Sequence, residues 1–292
     1  MRNGITADLD KTSRRADARR GRAEDIDRNL VEDQAESGCH QQRVDQTPSV
    51  QRPDECEFND HAHSQEVAEA AWFLHENYGS RQLILGLDRL DYTKGIPERF
   101  LAFERALEKY PELRKKVSLI QVVVPSRTLV TDYIHLKEML DGLAGRINGR
   151  YTEQGWIPIH YLFRSLDRVQ LLGHYRACEI ALVSPLRDGM NLVAKEYCAS
   201  SIDNNGVLIL SEFAGAADQL GKASLLVNPY DVDGTADAIY RAVNMPQDER
   251  RERMKTLRTE VKRNNVHRWV EWFIDAVEPA EPENRAEAVA SN

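Results

Sequence analysis

An α/β domain, with a parallel sheet covered by helices on both faces, is the fold this sequence predicts, on three observations. Short segments apolar at nearly every position recur along the chain, as in 82–87 (QLILGL), 117–124 (VSLIQVVV) and 206–211 (GVLILS). A sheet wet on one side would alternate apolar and polar residues, and these segments do not. Stretches with apolar residues at helical spacing lie between them, and that alternation of strand and helix makes a parallel sheet with crossover helices. Gly- or Pro-containing turns follow several of the strands, and ligands of such sheets lie at the carboxyl ends of the strands.

The elements follow in chain order. Residues 1–63 are dominated by Asp, Glu, Arg and Gln with almost no periodic apolar residues, so the chain cannot bury enough surface there to offset its entropy. A disordered or unrelated N-terminal segment is expected, of the kind a truncated gene or a start in another frame would produce. Cys39, His40, Cys56, His61 and His63 match no common zinc spacing. From residue 64 the texture changes. Val67, Ala70, Ala71 and Leu74 form one helical face. Strand 82–87 leads into a loop, 88–95, and then a helix over 97–110, with Pro97 in its first turn and Phe100, Phe103, Leu107 and Tyr110 on one face. Strand 117–124 is β-branched and very apolar. Leu129, Tyr133, Leu136, Leu140 and Leu143 mark a long helix; 159–162 is a strand and 168–177 a helix. Strand 180–183, a turn at 185–189 and a helix over 191–200 come next, then strand 206–211, a Gly/Ala-rich helix start at 213–220, strand 224–227 and helix 234–244. Residues 266–277 (VHRWVEWFIDAV) read as a final amphipathic helix, either crossing to another domain with Trp269, Trp272 and Phe273 or packing on this one. A Pro/Glu/Ala-rich tail, 278–292, is expected to be disordered.

Composition narrows the function classes. With 292 residues and a formal net charge of −8, the chain does not suit a nucleic-acid backbone, although a local basic pocket for a phosphorylated ligand remains open. No apolar run is long enough to span a membrane, and the N-terminus lacks the apolar core of a secretory signal. Cys39, Cys56, Cys178 and Cys198 show no close pairing, which points to a reduced, cytoplasmic protein.

The stretch 180–200 (IALVSPLRDGMNLVAKEYCAS) concentrates the chemistry. Strand, Gly-containing turn and helix present unpaired backbone N–H groups and the positive end of a helix dipole to an anion. Gly189 lets backbone approach a ligand closely. Asp188 precedes the helix and Glu196 follows it by a little over two helical turns. On spacing alone, the two acids either grip separate hydroxyl-bearing parts of one extended ligand or are an N-terminal Asp favoured by the dipole and a solvated Glu. Arg89 and Lys94, in the loop after the first strand, can hold a diphosphate through a guanidinium fork and a mobile ammonium, or can be two surface cations.

The strings LVSPLRDGMNLVAKEY and LDRLDYTKGIPERFLAFERAL, with AGRINGRY and LSEFAGAA, resemble the trehalose-6-phosphate synthase family, retaining glycosyltransferases of family 20. The resemblance runs from about Glu66 to about Ala276, in family order. It implies a Rossmann-like sheet, the C-terminal domain of a GT-B fold, over 64–277. It implies UDP-glucose as donor and glucose 6-phosphate as acceptor, the latter mainly through a domain outside the resemblance, and neither a metal nor a cofactor. Arg89 and Lys94 would grip the donor diphosphate and promote its departure. Asp188, Gly189, Met190, Asn191 and Leu192 would line the glucosyl and diphosphate groups, Val193 would flank them, and Glu196 would hold the ribose hydroxyls. Arg127 would face the acceptor phosphate. Leu166 departs from an aromatic residue that touches the uracil. Lys195, which could suggest pyridoxal phosphate, is more simply a polar face residue. A chain without the acceptor half is expected to turn over poorly. Glucosylglycerol-phosphate synthase and a non-catalytic nucleotide-sugar-binding or regulatory subunit are the rival readings, and a homo-oligomer is compatible with all three.

Overall fold

The computed structural model describes residues 55–79, 81–127 and 130–264, with 268, 270, 274 and 277. Six parallel strands form one sheet in the order β3-β2-β1-β4-β5-β6. They are β1 (Gln82–Arg89), β2 (Val117–Val124), β3 (Ile159–Phe163), β4 (Ile180–Val183), β5 (Val207–Ser211) and β6 (Leu225–Val227). The helices are α1 (Glu55–Ala62), α2 (Gln65–Tyr78), α3 (Ile96–Lys109), α4 (Thr131–Tyr151), α5 (Arg168–Ala177), α6 (Leu192–Ser200), α7 (Ala217–Leu220), α8 (Val232–Val243) and α9 (Gln247–Arg263).

Continuous apolarity in the strands has the expected cause: both faces are covered. Ile84, Leu119, Val123, Ile180, Leu182 and Ile209 point into one core with Phe100 and Phe103 of α3, Leu140 and Ile147 of α4 and Ile239 of α8. Their neighbours Leu83, Leu85, Ile120, Val122, Ala181 and Leu210 point into the other, with Val67, Leu172, Tyr175, Tyr197 and Leu257 from α2, α5, α6 and α9. Period-two alternation therefore survives as a choice between two apolar cores.

Two helices depart from the sequence expectation. Helix α1 lies within the segment expected to be disordered up to residue 63, and its Phe58 and Ala62 are buried in the second core. Helix α9 fills a stretch assigned no element. It is predominantly charged, and only Arg250, Met254, Leu257 and Val261 are buried, at helical spacing. Leu129, most of the expected helix 266–277 and the tail 278–292 lie outside the described residues.

Burial holds the imidazoles of His160 and His174 below their ordinary value of 6.5, with the cations Arg81 and Arg164 respectively acting the same way. The unfolded chain therefore takes up these protons first, and stability present above that value is lost as pH falls through it. Melting temperature should stay flat above about pH 7 and decline between about pH 6.5 and 5, ahead of ordinary carboxylate titration. His174→Gln, which can still donate to the Gln170 carbonyl that His174 Nδ1 contacts at 2.7 Å, should flatten that decline. An indifferent melting temperature across the window would remove both imidazoles as its cause.

Candidate functional site

Strand order reverses direction at β1, which has β2 on one side and β4 on the other. The connections leaving β1 and β4 thus diverge to opposite faces and open a crevice between them. Two loops border it.

The loop after β1 is shaped by its own side chains. Asp91 Oδ1 accepts from Thr93 N at 2.9 Å and Thr93 Oγ1 at 2.8 Å, closing a 3-10 turn over Tyr92–Lys94. Gly95 follows at φ 63°, and a Cβ there would come within 2.5 Å of the Ser184 carbonyl in the loop after β4. Leu186 N donates to Thr93 O at 2.8 Å, tying the two loops together. Across this seam Lys94 Nζ meets Asp188 Oδ2 at 2.6 Å. Asn191 Nδ2 donates to the same oxygen at 3.0 Å.

The loop after β4 is in turn joined to the loop after β5. Asp188 bridges Ala214 in parallel, Gly215 N donates to Asp188 O at 3.0 Å, and Ala216 N donates to Met190 O at 2.8 Å. A Cβ on Gly215 would stand 2.0 Å from the Gly189 carbonyl, so only glycine permits this approach. Gly189 is different: an added Cβ meets nothing within 4 Å, and the residue is exposed. Asn191 caps α6 in a left-handed conformation, φ 69°, its Oδ1 accepting from Ala194 N at 3.0 Å. The N–H groups of Leu192 and Val193 lie in the first turn, where no intrahelical acceptor exists. Farther along α6, Glu196 Oε2 accepts from Tyr175 Oη at 2.7 Å. Burial, aided by the Glu196 carboxylate, pushes the Tyr175 phenol well above its ordinary value, which keeps it a proton donor to Glu196.

Of the residues singled out in the sequence, Lys94, Asp188, Gly189, Met190, Asn191, Leu192 and Val193 gather at this crevice, with Glu196 on the helix leading away from it. Arg89 ends β1 and is exposed, with no side-chain hydrogen bond or ion pair among the described residues. Arg127, after β2, is also exposed; its Nη1 donates to Tyr133 Oη at 3.0 Å, and the Tyr133 ring packs edge-on to Tyr92 with centroids 6.1 Å apart. Leu166 packs against the second core.

Several residues of the site are given no role in the sequence reading, although Asp88, Arg99 and Ser184 fall within the strings that carry the family resemblance. Asp88, Arg99, Gln121 and Ser184 form a buried polar cluster directly beneath the seam. Burial pushes the Asp88 carboxyl upward, and contact with the Arg99 guanidinium opposes it. One signal was available: Arg99 falls within the apolar stripe of α3, between Ile96 and Phe103. A cavity of about 150 Å³ lined by His75, Glu179, Ser200 and Gly206 opens near the amino ends of β4 and β5, away from this cluster. Tyr92, Met190, Phe213 and Tyr230 stand exposed around the crevice itself.

The sequence profile of glycosyltransferase family 20 matches residues 28–279. The chain belongs to glycosyltransferase family 20. That match begins well before Glu66, so part of the segment expected to be unrelated to the family falls inside it. A trehalose-6-phosphate synthase of Sodalis glossinidius is 47% identical over 212 residues, covering 72% of this chain and 45% of that protein. The UDP-forming α,α-trehalose-phosphate synthase A of Dictyostelium discoideum is 44% identical over 207 residues, 71% of this chain and 28% of its own length. Among solved structures, a UDP-forming α,α-trehalose-phosphate synthase of Burkholderia xenovorans in complex with glucose-6-phosphate superposes with TM-score 0.74 at 42% identity, covering 77% of this chain and 50% of that one. An E. coli protein bound with UDP-2-fluoro glucose gives TM-score 0.73 at 42% identity, with 78% and 51% covered. The chain thus spans about half the length, or less, of these family 20 relatives.

Proposed function

We propose that this chain is the donor-binding half of a UDP-forming trehalose-6-phosphate synthase, which transfers glucose from UDP-glucose to glucose 6-phosphate. The observation that carries the reading is the meeting of Lys94 and Asp188 at the divergence of β1 and β4, with Glu196 on the helix leading away from it. A cation beside an acid, with a second carboxylate farther along α6, suits a donor whose diphosphate lies between its glucose and its ribose. The open space above Gly189 supports the same reading, because nothing in the chain itself requires glycine there.

Each residue has a task in that chemistry. As the bond from glucose C1 to the diphosphate oxygen breaks, charge grows on the leaving group. Arg89 and Lys94 hold it more strongly at that moment than in the ground state, which lowers the barrier. The N–H groups at the start of α6 add the positive end of its dipole. Asp188 accepts from glucose hydroxyls, and Asn191 keeps its carboxylate oriented. The acceptor hydroxyl attacks on the face the diphosphate leaves, and its proton passes to the departing oxygen. Arg127 reaches toward the acceptor phosphate from the Tyr133–Tyr92 pair. The named relatives favour trehalose phosphate over the glucosylglycerol product. Cys178 and Cys198 are buried free thiols, which suits a cytoplasmic compartment.

Discrimination of ribose tests the assignment. A carboxylate accepts from both vicinal hydroxyls, whereas an amide has one good acceptor and turns donors toward the other. In Glu196→Gln the amide oxygen can still receive the Tyr175 hydroxyl, leaving the NH₂ toward the sugar. The wild-type chain should prefer UDP to 2′-deoxy-UDP, and the variant should lose most of that preference, a change of about 1–3 kcal/mol. A variant that melts lower but keeps the preference would make Glu196 a support for Tyr175 and α6, not a ribose ligand.

A further inference from the structure

Arg99 hydrogen-bonds to no side chain proposed to hold the donor, yet its guanidinium binds together the backbone that carries those side chains. The side chain rises from the first turn of α3 and is 1% exposed. Its Nη1 pairs with Asp88 near the end of β1 and donates to Gln121 Oε1 of β2 at 3.1 Å. Nε donates to Ser184 Oγ, just past β4, at 3.1 Å. Nη2 donates to the Lys94 carbonyl at 3.4 Å. Gly86 makes the room: a Cβ there would lie 2.2 Å from Gln121 Oε1 and 2.8 Å from Arg99 Nη1.

Burying such a pair is costly, and an apolar pair of like volume commonly gives equal or greater stability. What an apolar pair cannot give is direction. A planar fork of five fixed donors reaches four acceptors on three segments at once. Two of those acceptors, the Lys94 carbonyl and Ser184 Oγ, belong to the two loops that abut at Gly95. Above that seam sits the Lys94–Asp188 contact.

We propose that Arg99 is a positioning residue for donor binding: its guanidinium locks the loop after β1 against the loop after β4 and so sets where Lys94 stands relative to Asp188. The proposal rests on reading the crevice as a UDP-sugar site. Arg99→Lys keeps a cation beside Asp88 but cannot reach both loops, so it separates charge from direction.

Calorimetric titration with UDP and with uridine, on wild type, Arg99→Lys, Lys94→Ala and the double variant, tests it. Arg99→Lys should lower UDP affinity about tenfold and leave uridine affinity unchanged. The double variant should bind UDP no more weakly than Lys94→Ala alone, because nothing is left to position. Ser184→Ala, a smaller change to the same network, should lose about threefold for UDP only, and it decides the matter if Arg99→Lys does not fold. UDP and uridine affinities that fall together, losses that multiply in the double variant, or an unchanged Ser184→Ala would each overturn the proposal. Wild type that binds UDP while the variants match it defeats the proposal alone. Wild type that binds no UDP defeats the reading of the site and the proposal with it.

Discussion

Lys94→Ala is expected to weaken UDP binding about 100-fold and Arg89→Ala about tenfold, with uridine affinity unchanged in both. A hydrogen bond to a charged group contributes about 1.5–3 kcal/mol, which sets the scale for each. The inequality comes from the structure. Lys94 sits 2.6 Å from Asp188, so removing it would delete the proposed phosphate ligand and also leave a carboxylate without its counter-charge beside an incoming diphosphate. Both side chains of the pair are only 16% exposed, so water screens that repulsion incompletely. Arg89 is exposed, and its removal strands nothing. Lys94→Ala combined with Asp188→Asn should recover part of the loss. Titration with UDP decides it; an Arg89→Ala loss equal to or larger than that of Lys94→Ala would dismiss the ion pair as the cause.

A polypeptide of these 292 residues is expected to bind UDP yet to release UDP from UDP-glucose and glucose 6-phosphate at well under a thousandth of a typical enzymatic rate of about 10 per second. The residues gathered at the crevice are those proposed for the donor, and the chain spans about half the length of its relatives. Tyr92, Met190, Phe213 and Tyr230 leave an exposed aromatic and apolar rim around the crevice. Transfer to a sugar rather than to water requires the reacting atoms to be enclosed, and this rim is the surface a second domain would close upon. Appending the acceptor half of a close relative should raise UDP release by several orders of magnitude. Release at the typical rate by the chain alone would show that enclosure is already complete.

Strand positions were legible because burial on two sides leaves few polar residues to obscure them: residues 117–124 coincide with β2, and 180–183 with β4. Helix α9 was not legible. In QDERRERMKTLRTEVKR the four inward residues, one of them Arg250, are outnumbered by charges that all look solvated. Arg250 is inside because Met245, Ala242 and Val243 offer it carbonyls at 3.0 Å, and a sequence does not display carbonyl geometry. The candidate site divides the same way. Asp188 and Lys94 were each visible as residue types in suitable loops, but their contact joins residues far apart in the sequence and depends on the strand order, which no local pattern encodes. Tyr175 carries no signal in the sequence, because its hydroxyl meets Glu196 of a different helix. Arg99 had the one readable signal, a charge inside an apolar stripe.

The ladder that runs past the ends of β4 and β5, from the Asp188–Ala214 bridge to the Ala216–Met190 hydrogen bond, has a thermodynamic consequence. Freezing a residue's backbone costs about 1–2 kcal/mol of conformational entropy. In a floppy loop that cost falls on the ligand, as it does wherever binding must order the chain. Here it falls on folding, because Asp188, Gly189 and Met190 are already held in place as a preorganised extra rung of the sheet. Favourable contacts with the proposed sugar diphosphate would then appear almost undiminished in the affinity. A bulkier residue at position 215 would unfasten the rung and transfer that entropic burden back to the ligand.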